Sequence, residues 1–420
     1  MAGVDARGEI SDLGAAVHIL FVSPEFPRYQ LDFVRALTEV GARVTGLGEA
    51  PPEALPPGLK ARLYGYINVG NVTDEGRLLD AVRLVQSREW VDRLEATIEA
   101  HVLPVARVRE AATIPGLSAR TALLCRDKPL MKDFLRERGV PTAASTGVQT
   151  VDEALAFARG HGYPLVVKPR AGAGAAGTSV VHDEGQLRAA LAGFGPVFDV
   201  ALEQFDDGHE GFYDTLTVGG DVAHEFVAHY YPNVLEAMRT RWVSPQIVVT
   251  NRIAQSGYDE VRDLGRKVIR ELSIDTAPTH MEWFFGSHGL RFSEIGARPP
   301  GVSQWDLYAT ANELDLYREW ADSIVYGRTW GRASRRFSSG IIALRPDRDG
   351  VIDRIEGIDE MQRRFGGCVI NAHLPAPGTP TQPVEAGYMA NAWVQLRHPD
   401  YDTLRDIMNT IGERIQVYAH

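Results

Sequence analysis

An α/β fold class is predicted by three features of the 420-residue chain: a strand–helix–strand opening, a strand running into a glycine-rich loop, and a hairpin carrying two carboxylates. Residues 17–23, VHILFVS, read as a buried strand. Residues 29–40 carry helical periodicity with Gly41 as the stop, and 42–47 form a second strand. That alternation predicts a parallel-sheet domain over 1–118. Residues 77–103 add helices, and 104–106 are read as a short strand. The loop after the first strand, Ser23-Pro24-Glu25-Phe26-Pro27, has no G-x-G-x-x-G pattern, which argues against a dinucleotide site there.

Asp127-Lys128 opens a helix that ends at Arg138-Gly139, and 151–159 form another helix ahead of a strand ending in Lys168. Residues 197–230 alternate as strands around the turns Asp206-Asp207-Gly208 and Gly219-Gly220-Asp221. A helix over 258–272 leads into the hairpin, and 305–326 are helical again. The arginine- and serine-rich stretch GRTWGRASRRFSSG reads as a linker or domain edge. Beyond it the pattern predicts strands near 339–345 and 387–396, a helix over 400–414 and a last strand IQVY. The division expected is 1–118, 119–330 and 331–420, the last a small α+β domain.

Composition, 44% hydrophobic and 24% charged, is that of a large globular enzyme. No run of about 18 apolar residues occurs, and the N-terminus lacks a basic and apolar leader, so a cytoplasmic location is expected. Cys125 and Cys368 lack metal-type spacing and read as packing residues. A net charge of −11 disfavours nucleic acid or an anionic membrane as a partner.

The chemistry concentrates in two segments. In THMEWFFGSHGLRFSEIGARPPG, residues 279–301, Glu282 and Glu294 fall on the two strands of the hairpin and Arg298 in the loop beyond. Paired oxygen ligands suit a hard divalent cation, and a guanidinium suits phosphate or carboxylate. In PLVVKPRAGAGAAGTSVV, residues 164–181, Lys168 ends a strand and Gly172, Gly174, Gly177 and Thr178 follow. Small residues let backbone N–H groups approach an anion, and the lysine supplies a compact charge. Together they have the layout of a magnesium-nucleotide site. The plain alternatives are an ordinary glycine loop and a solvated acidic face.

Four motifs in this order resemble those of the ATP-grasp superfamily, over residues 120–330: Asp127-Lys128 with Gly139-Val140-Pro141-Thr142; Val166-Val167-Lys168-Pro169 with its loop; Leu202-Glu203-Gln204-Phe205 with Glu210; and Glu282 with Glu294-Ile295-Gly296-Ala297-Arg298. The resemblance implies a Rossmann-like N-terminal domain, a central two-lobed ATP-grasp domain whose loop 171–178 acts as a lid, and a small C-terminal domain. It implies that Lys128 and Lys168 face phosphates, that Glu203, Gln204 and Phe205 meet adenine, and that Glu210 accepts from the ribose. Glu282 and Glu294 are the implied metal ligands, with Arg298 and Lys168 as catalytic residues. The cofactors implied are ATP and Mg²⁺, with Mn²⁺ as a substitute. Many members carry Asn where this chain has Gly296, and a water can take that ligand's place on magnesium.

The activity implied is carboxylate–amine ligation through an acyl phosphate, yielding ADP and phosphate, as in the L-amino-acid ligase branch. A biosynthetic carboxylase or formate-using transferase of the purine-pathway branch is the alternative. A nucleotide-binding module without catalysis is a third reading, opposed by the retained Lys168, Glu282, Glu294 and Arg298. The expected partners are a small carboxylate and an amine, with a homodimer as the candidate assembly. His209, His224, His229 and His280 are weaker candidates for proton transfer, with a structural role as the plain reading of each. Residues 229–249 are a candidate acceptor-pocket wall.

Overall fold

The computed structural model describes residues 16–172 and 177–420. The chain is mixed α/β and divides into two compact units, Met1–Ser118 with Tyr317–Arg328, and Ala119–Leu316 with Thr329–His420.

In the first unit β1 (His18–Val22), β2 (Arg43–Gly48), β3 (Gly65–Asn68) and β4 (Arg93–Glu95) form a parallel sheet in the order β3-β2-β1-β4. Every residue of β1 is buried, because helices cover both faces. One face packs Leu20, Val22, Leu47 and Leu94 against Leu78, Val82 and Val105. On the other, Phe33 meets the edges of Tyr317 and Trp320 at 4.9 and 5.0 Å, and Tyr326 donates to the Val40 carbonyl at 2.6 Å.

The short strand expected at 104–106 lies instead inside the helix Glu99–Ala112. Val102, Val105, Ala106 and Val108 are buried there. Their three- and four-residue spacing is helical, and it outweighs the breaker signal of Pro104.

In the second unit β5 (Ser145–Val148), β6 (Leu165–Pro169), β7 (Ser179–Val181) and β8 (Val200–Gln204) form an antiparallel sheet in the order β5-β8-β6-β7. The larger sheet contains β9 (His209–Val218), β10 (Asp221–Tyr231), β11 (Gln246–Val249), β12 (Ala277–Gly286), β13 (Gly289–Gly296) and β14 (Ser338–Leu344). Two further strands, β16 (Val369–His373) and β17 (Ala392–His398), complete the order β13-β12-β9-β10-β11-β14-β17-β16. Separately, β15 (Ile352–Glu356), between β14 and β16 in sequence, pairs with β18 (Gln416–Ala419) at the end of the chain. The sheet therefore runs without a break across the stretch read as a linker.

Strand pairing fixes which side chains share a face. Glu294, Glu282, Phe212, Ala228, Val249, Ser339 and Arg397 are successive cross-strand partners. They lie on one face because side chains alternate along each strand. On the opposite face Ile342, Leu344, Val394 and Leu396 pack against Leu404, Met408 and Ile411 of the helix Tyr401–Arg414.

Candidate functional site

The hairpin β12–β13 places Glu282 directly opposite Glu294 in the antiparallel register, with a bulge between Glu282 and Trp283. Two like charges in that relation repel, so the pair persists only with compensating partners. Glu294 has two: Lys128 Nζ at 3.5 Å and Lys168 Nζ at 3.6 Å. Burial alone would raise the Glu294 carboxyl, but these two ammonium groups hold it below the usual carboxylate range.

Each lysine is placed by its element. Asp127 caps the helix Lys128–Arg136 by accepting from the Leu130 amide at 3.1 Å, which starts the helix at Lys128. Lys128 also donates to the Gly172 carbonyl at 2.8 Å, tying it to the start of the glycine loop. Lys168 sits near the end of β6 and reaches Glu203 on the adjacent β8 at 2.9 Å. One turn on from Lys128, Lys132 donates to the same Glu203 oxygen at 2.7 Å. Lys132 is 1% exposed. Burial opposes the Glu203 charge, yet Lys132 and Lys168 override it and bring its carboxyl down to about 2. Burial also works against the Lys168 ammonium, and Glu203 and Glu294 raise its pKa in spite of that.

The Glu203 carboxylate is thus held by two lysines through one oxygen. The Gln204 amide donates to the Ala144 carbonyl at 2.8 Å and the Phe205 amide to the Pro164 carbonyl at 3.2 Å. Lys132 was missed. Its signal was present in the sequence, since 128 and 132 are one turn apart and share the buried stripe with Met131 and Leu135.

Glu210, on β9, lies on the carboxylate face beside β12, where it pairs with Phe284. One oxygen accepts from the Val234 amide at 2.6 Å. Burial first, then the nearby Glu282, pushes its carboxyl up to about 8. Of the four histidines, His280 joins the site. Its Nδ1 pairs with Asp214 at 2.8 Å and its Nε2 lies 3.6 Å from Glu282, while Tyr308 donates to the second Asp214 oxygen at 2.5 Å. Burial disfavours the charged imidazole, but Asp214 and Glu282 raise it to about 9. His209 and His229 bond to each other at 2.8 Å on the opposite face, and burial draws His229 down to about 3. His224 is buried on β10. Asp214 and Tyr308 were not anticipated; a lone aspartate in the middle of an apolar strand was the available signal.

Arg298 follows β13 and donates to the Pro299 carbonyl at 2.7 Å, and its charge reaches His280. Gly177 has φ +69° and packs against Pro169, while the Thr178 carbonyl accepts from Arg239 at 2.6 Å. Arg239 thus brings the 229–249 segment to the glycine loop. Gly174 lies outside the described residues. The described residues contain no group of three or more His, Cys, Asp or Glu arranged to hold a metal, so the candidate metal donors are the two cross-strand carboxylates. Among the described residues no helix is long and apolar enough to cross a membrane.

Residues 127–195 match the family model of the carbamoyl-phosphate synthase L chain ATP-binding domain. The L-arginine-specific L-amino acid ligase of Bacillus subtilis is 26% identical over 292 residues, covering 66% of this chain and 68% of that one. The carbamoyl phosphate synthase large chain of Kineococcus radiotolerans is 29% identical over 193 residues, 44% of this chain but only 17% of its own length. Among solved structures, the L-amino acid ligase from Bacillus licheniformis superposes with a TM-score of 0.74 over 97% of this chain and all of that one, at 19% identity. At that identity the likeness is one of fold. With the motifs in register on this fold, the chain is similar to the carboxylate–amine ligases of the ATP-grasp superfamily.

Proposed function

We propose that the protein is an ATP-dependent ligase that joins an amino acid or small carboxylate to an amine through an acyl phosphate, releasing ADP and phosphate. The observation that carries this reading is the Glu282–Glu294 pair, with Lys128 and Lys168 both set against Glu294. Glu210, Glu282 and Glu294 crowd one face of the sheet, and the Glu210 carboxyl is raised by burial first and by that crowding second. An all-oxygen donor set with excess negative charge fits magnesium, and manganese shares the preference. Held by Glu282 and Glu294, the ion would neutralise phosphate oxygens.

The chain's own groups do the remaining work. Lys128 and Lys168 exchange Glu294 for phosphate oxygens when the nucleotide arrives. Gly172, Gly177 and Thr178 contribute backbone donors to the phosphates. Glu210 accepts from ribose, and the backbone of Glu203, Gln204 and Phe205 lines the adenine side. The substrate carboxylate attacks the γ-phosphorus, and the bond to the ADP oxygen breaks. The amine nitrogen then attacks the acyl carbon, phosphate leaves with the bonding pair, and the amine loses its proton. Arg298 stabilises the oxyanion of that second step. This is positioning and electrostatics rather than covalent catalysis by the protein. We place the enzyme in the cytoplasm and take a homodimer as its assembly.

The test is ATP turnover with a panel of amino acids and amines, against bicarbonate and formate, with the product identified by mass. Amide or dipeptide products with one ADP each support the proposal. Turnover confined to bicarbonate or formate overturns it in favour of the carboxylase or transferase reading.

A further inference from the structure

Tyr388 and Arg345, on the C-terminal side of the larger sheet, each keep a buried polar atom without a partner, as does Gln395 on β17. The Tyr388 hydroxyl, on a side chain 4% exposed, bonds to nothing, and neither does Nη2 of Arg345. A buried, unsatisfied donor costs roughly 1–3 kcal/mol, and more for a charged group. Their position explains what they await. Along β14, Ser339, Ile341 and Ala343 lie on the face that carries Glu282 and Glu294, and Arg345 continues that alternation just beyond the strand end.

Tyr388 is laid over the same face from the loop before β17, its ring 6.3 Å from that of Tyr230. The loop is closed by Asn391, which accepts from the Gln382 amide and donates to the Gln382 carbonyl, both at 2.9 Å. The other Arg345 amino group is committed to the Thr240 carbonyl. Arg345 and Tyr388 lie within electrostatic reach of each other, and Tyr388 is also within reach of Glu210 and Glu282. Arg241 and Glu385 are the further charges near Arg345.

Both orphans are hydrogen-bond donors here. A guanidinium has no acceptor and does not lose its proton, and burial keeps the phenol protonated. Their shared ligand is therefore a hydrogen-bond acceptor, and a carboxylate also answers the charge of the guanidinium through its remaining amino group. The phosphate-facing lysines belong to other strands and helices, and Arg298 is assigned to the reacting carboxyl.

We propose that Arg345 and Tyr388 form a subsite for the carboxylate that does not react, the one carried by an acceptor amino acid whose amine is being acylated. The assignment rests on the ligase reading above and narrows its amine substrate to an amino acid. The guanidinium fixes the acceptor's carboxylate and so aims its nitrogen across the sheet face toward the acyl carbon.

The experiment compares L-amino acids with their α-amides as acceptors. The wild type is expected to favour the acid over the amide in kcat/KM. Arg345→Gln should lower that preference at least tenfold, chiefly through KM for the acid, and Arg345→Lys should restore part of it. Tyr388→Phe keeps the ring and its packing, and should lower the preference several-fold. An acid-to-amide preference unmoved in both Arg345→Gln and Tyr388→Phe overturns the subsite while leaving ligation standing. Calorimetric titration of the same amino acids into the protein with magnesium-ADP separates the two ideas. Binding that weakens tenfold in Arg345→Gln supports the subsite even where no acceptor gives product, and in that case it is the ligase reading that fails. No amino-acid binding to the wild type, or preferential binding of bicarbonate, overturns the subsite.

Discussion

Replacing Lys132 with methionine removes one of two cations from a carboxylate that has nowhere else to turn. Glu203 accepts from Lys132 at 2.7 Å and Lys168 at 2.9 Å through the same oxygen, and its other oxygen is buried without a partner. Bringing the carboxyl from 4.5 to about 2 corresponds to roughly 3 kcal/mol of folding free energy at neutral pH. Breaking a buried ion pair from one side costs a similar ~3–5 kcal/mol by general experience. Lys168 stays on the same oxygen and burial lowers the pKa of the Lys132 ammonium itself, so the expectation for Lys132→Met is part of that, a loss of about 2 kcal/mol, read as a lower urea midpoint at unchanged slope. The folded pKa of Glu203 is depressed, so its contribution is present above 4.5 and is lost as pH falls toward 2. The gap between wild type and variant should therefore shrink by roughly 1.4 kcal/mol per pH unit below 4.5. A loss under about 1 kcal/mol at pH 7, or a gap constant from pH 6 to 3.5, would refute the triad as a source of stability.

Three further outcomes follow from the same geometry. Glu294→Gln keeps shape but not charge, so product formation at saturating magnesium should fall by at least ~100-fold, on the scale of losing an electrostatic stabiliser, with circular dichroism unchanged. Turnover near the wild-type level would sink the metal assignment. Burial first and then Glu282 hold the Glu210 carboxyl at about 8, so it carries a proton at pH 7, and magnesium-nucleotide removes the second of these causes. Binding should then release a fraction of a proton, seen as buffer-dependent enthalpy in calorimetry and absent in Glu210→Gln. Asp214→Asn removes the carboxylate that sustains the His280 charge. Because the His280 pKa is raised from 6.5 to about 9, its contribution is full below 6.5 and is lost as pH rises through 9. The variant should be destabilised by roughly 3 kcal/mol at pH 6, with the deficit closing by pH 9.5. A melting-temperature deficit independent of pH would show that Asp214 acts only through Tyr308.

What could be read ahead of the structure was local. Asp127 as a cap, the Gly41 stop and the alternation through Met281, Glu282 and Trp283 are short-range signals. The elements they mark were found at Lys128–Arg136, Gln30–Glu39 and Ala277–Gly296. What could not be read depends on partners far apart in sequence. Glu203 has the spacing of a hinge acid, but its role is set by which helix lies above β8, and Lys132 is 71 residues away. The strands Ser145–Val148 and Gln246–Val249 were not predicted, since their place in a sheet is set by β8, β10 and β14, which are distant in sequence or follow a loop.

The same distinction explains why the two ends of the site differ in legibility. The phosphate end is built from residues whose type announces charge: lysines at the start of a helix and near the end of a strand, and acids on a hairpin. The far end is built from Arg345, in a region rich in arginine, and Tyr388. Nothing in their local sequence separates them from Arg348 or Tyr401. Their distinction is that pairing of β14 with β11 and β17 sets Arg345 on the face that β12 and β13 use, while Asn391 holds the loop that lays Tyr388 there. Register, not residue type, makes that end a candidate site. Moving β14 by one residue would turn Arg345 to the hydrophobic side and take its guanidinium off the face that Tyr388 covers.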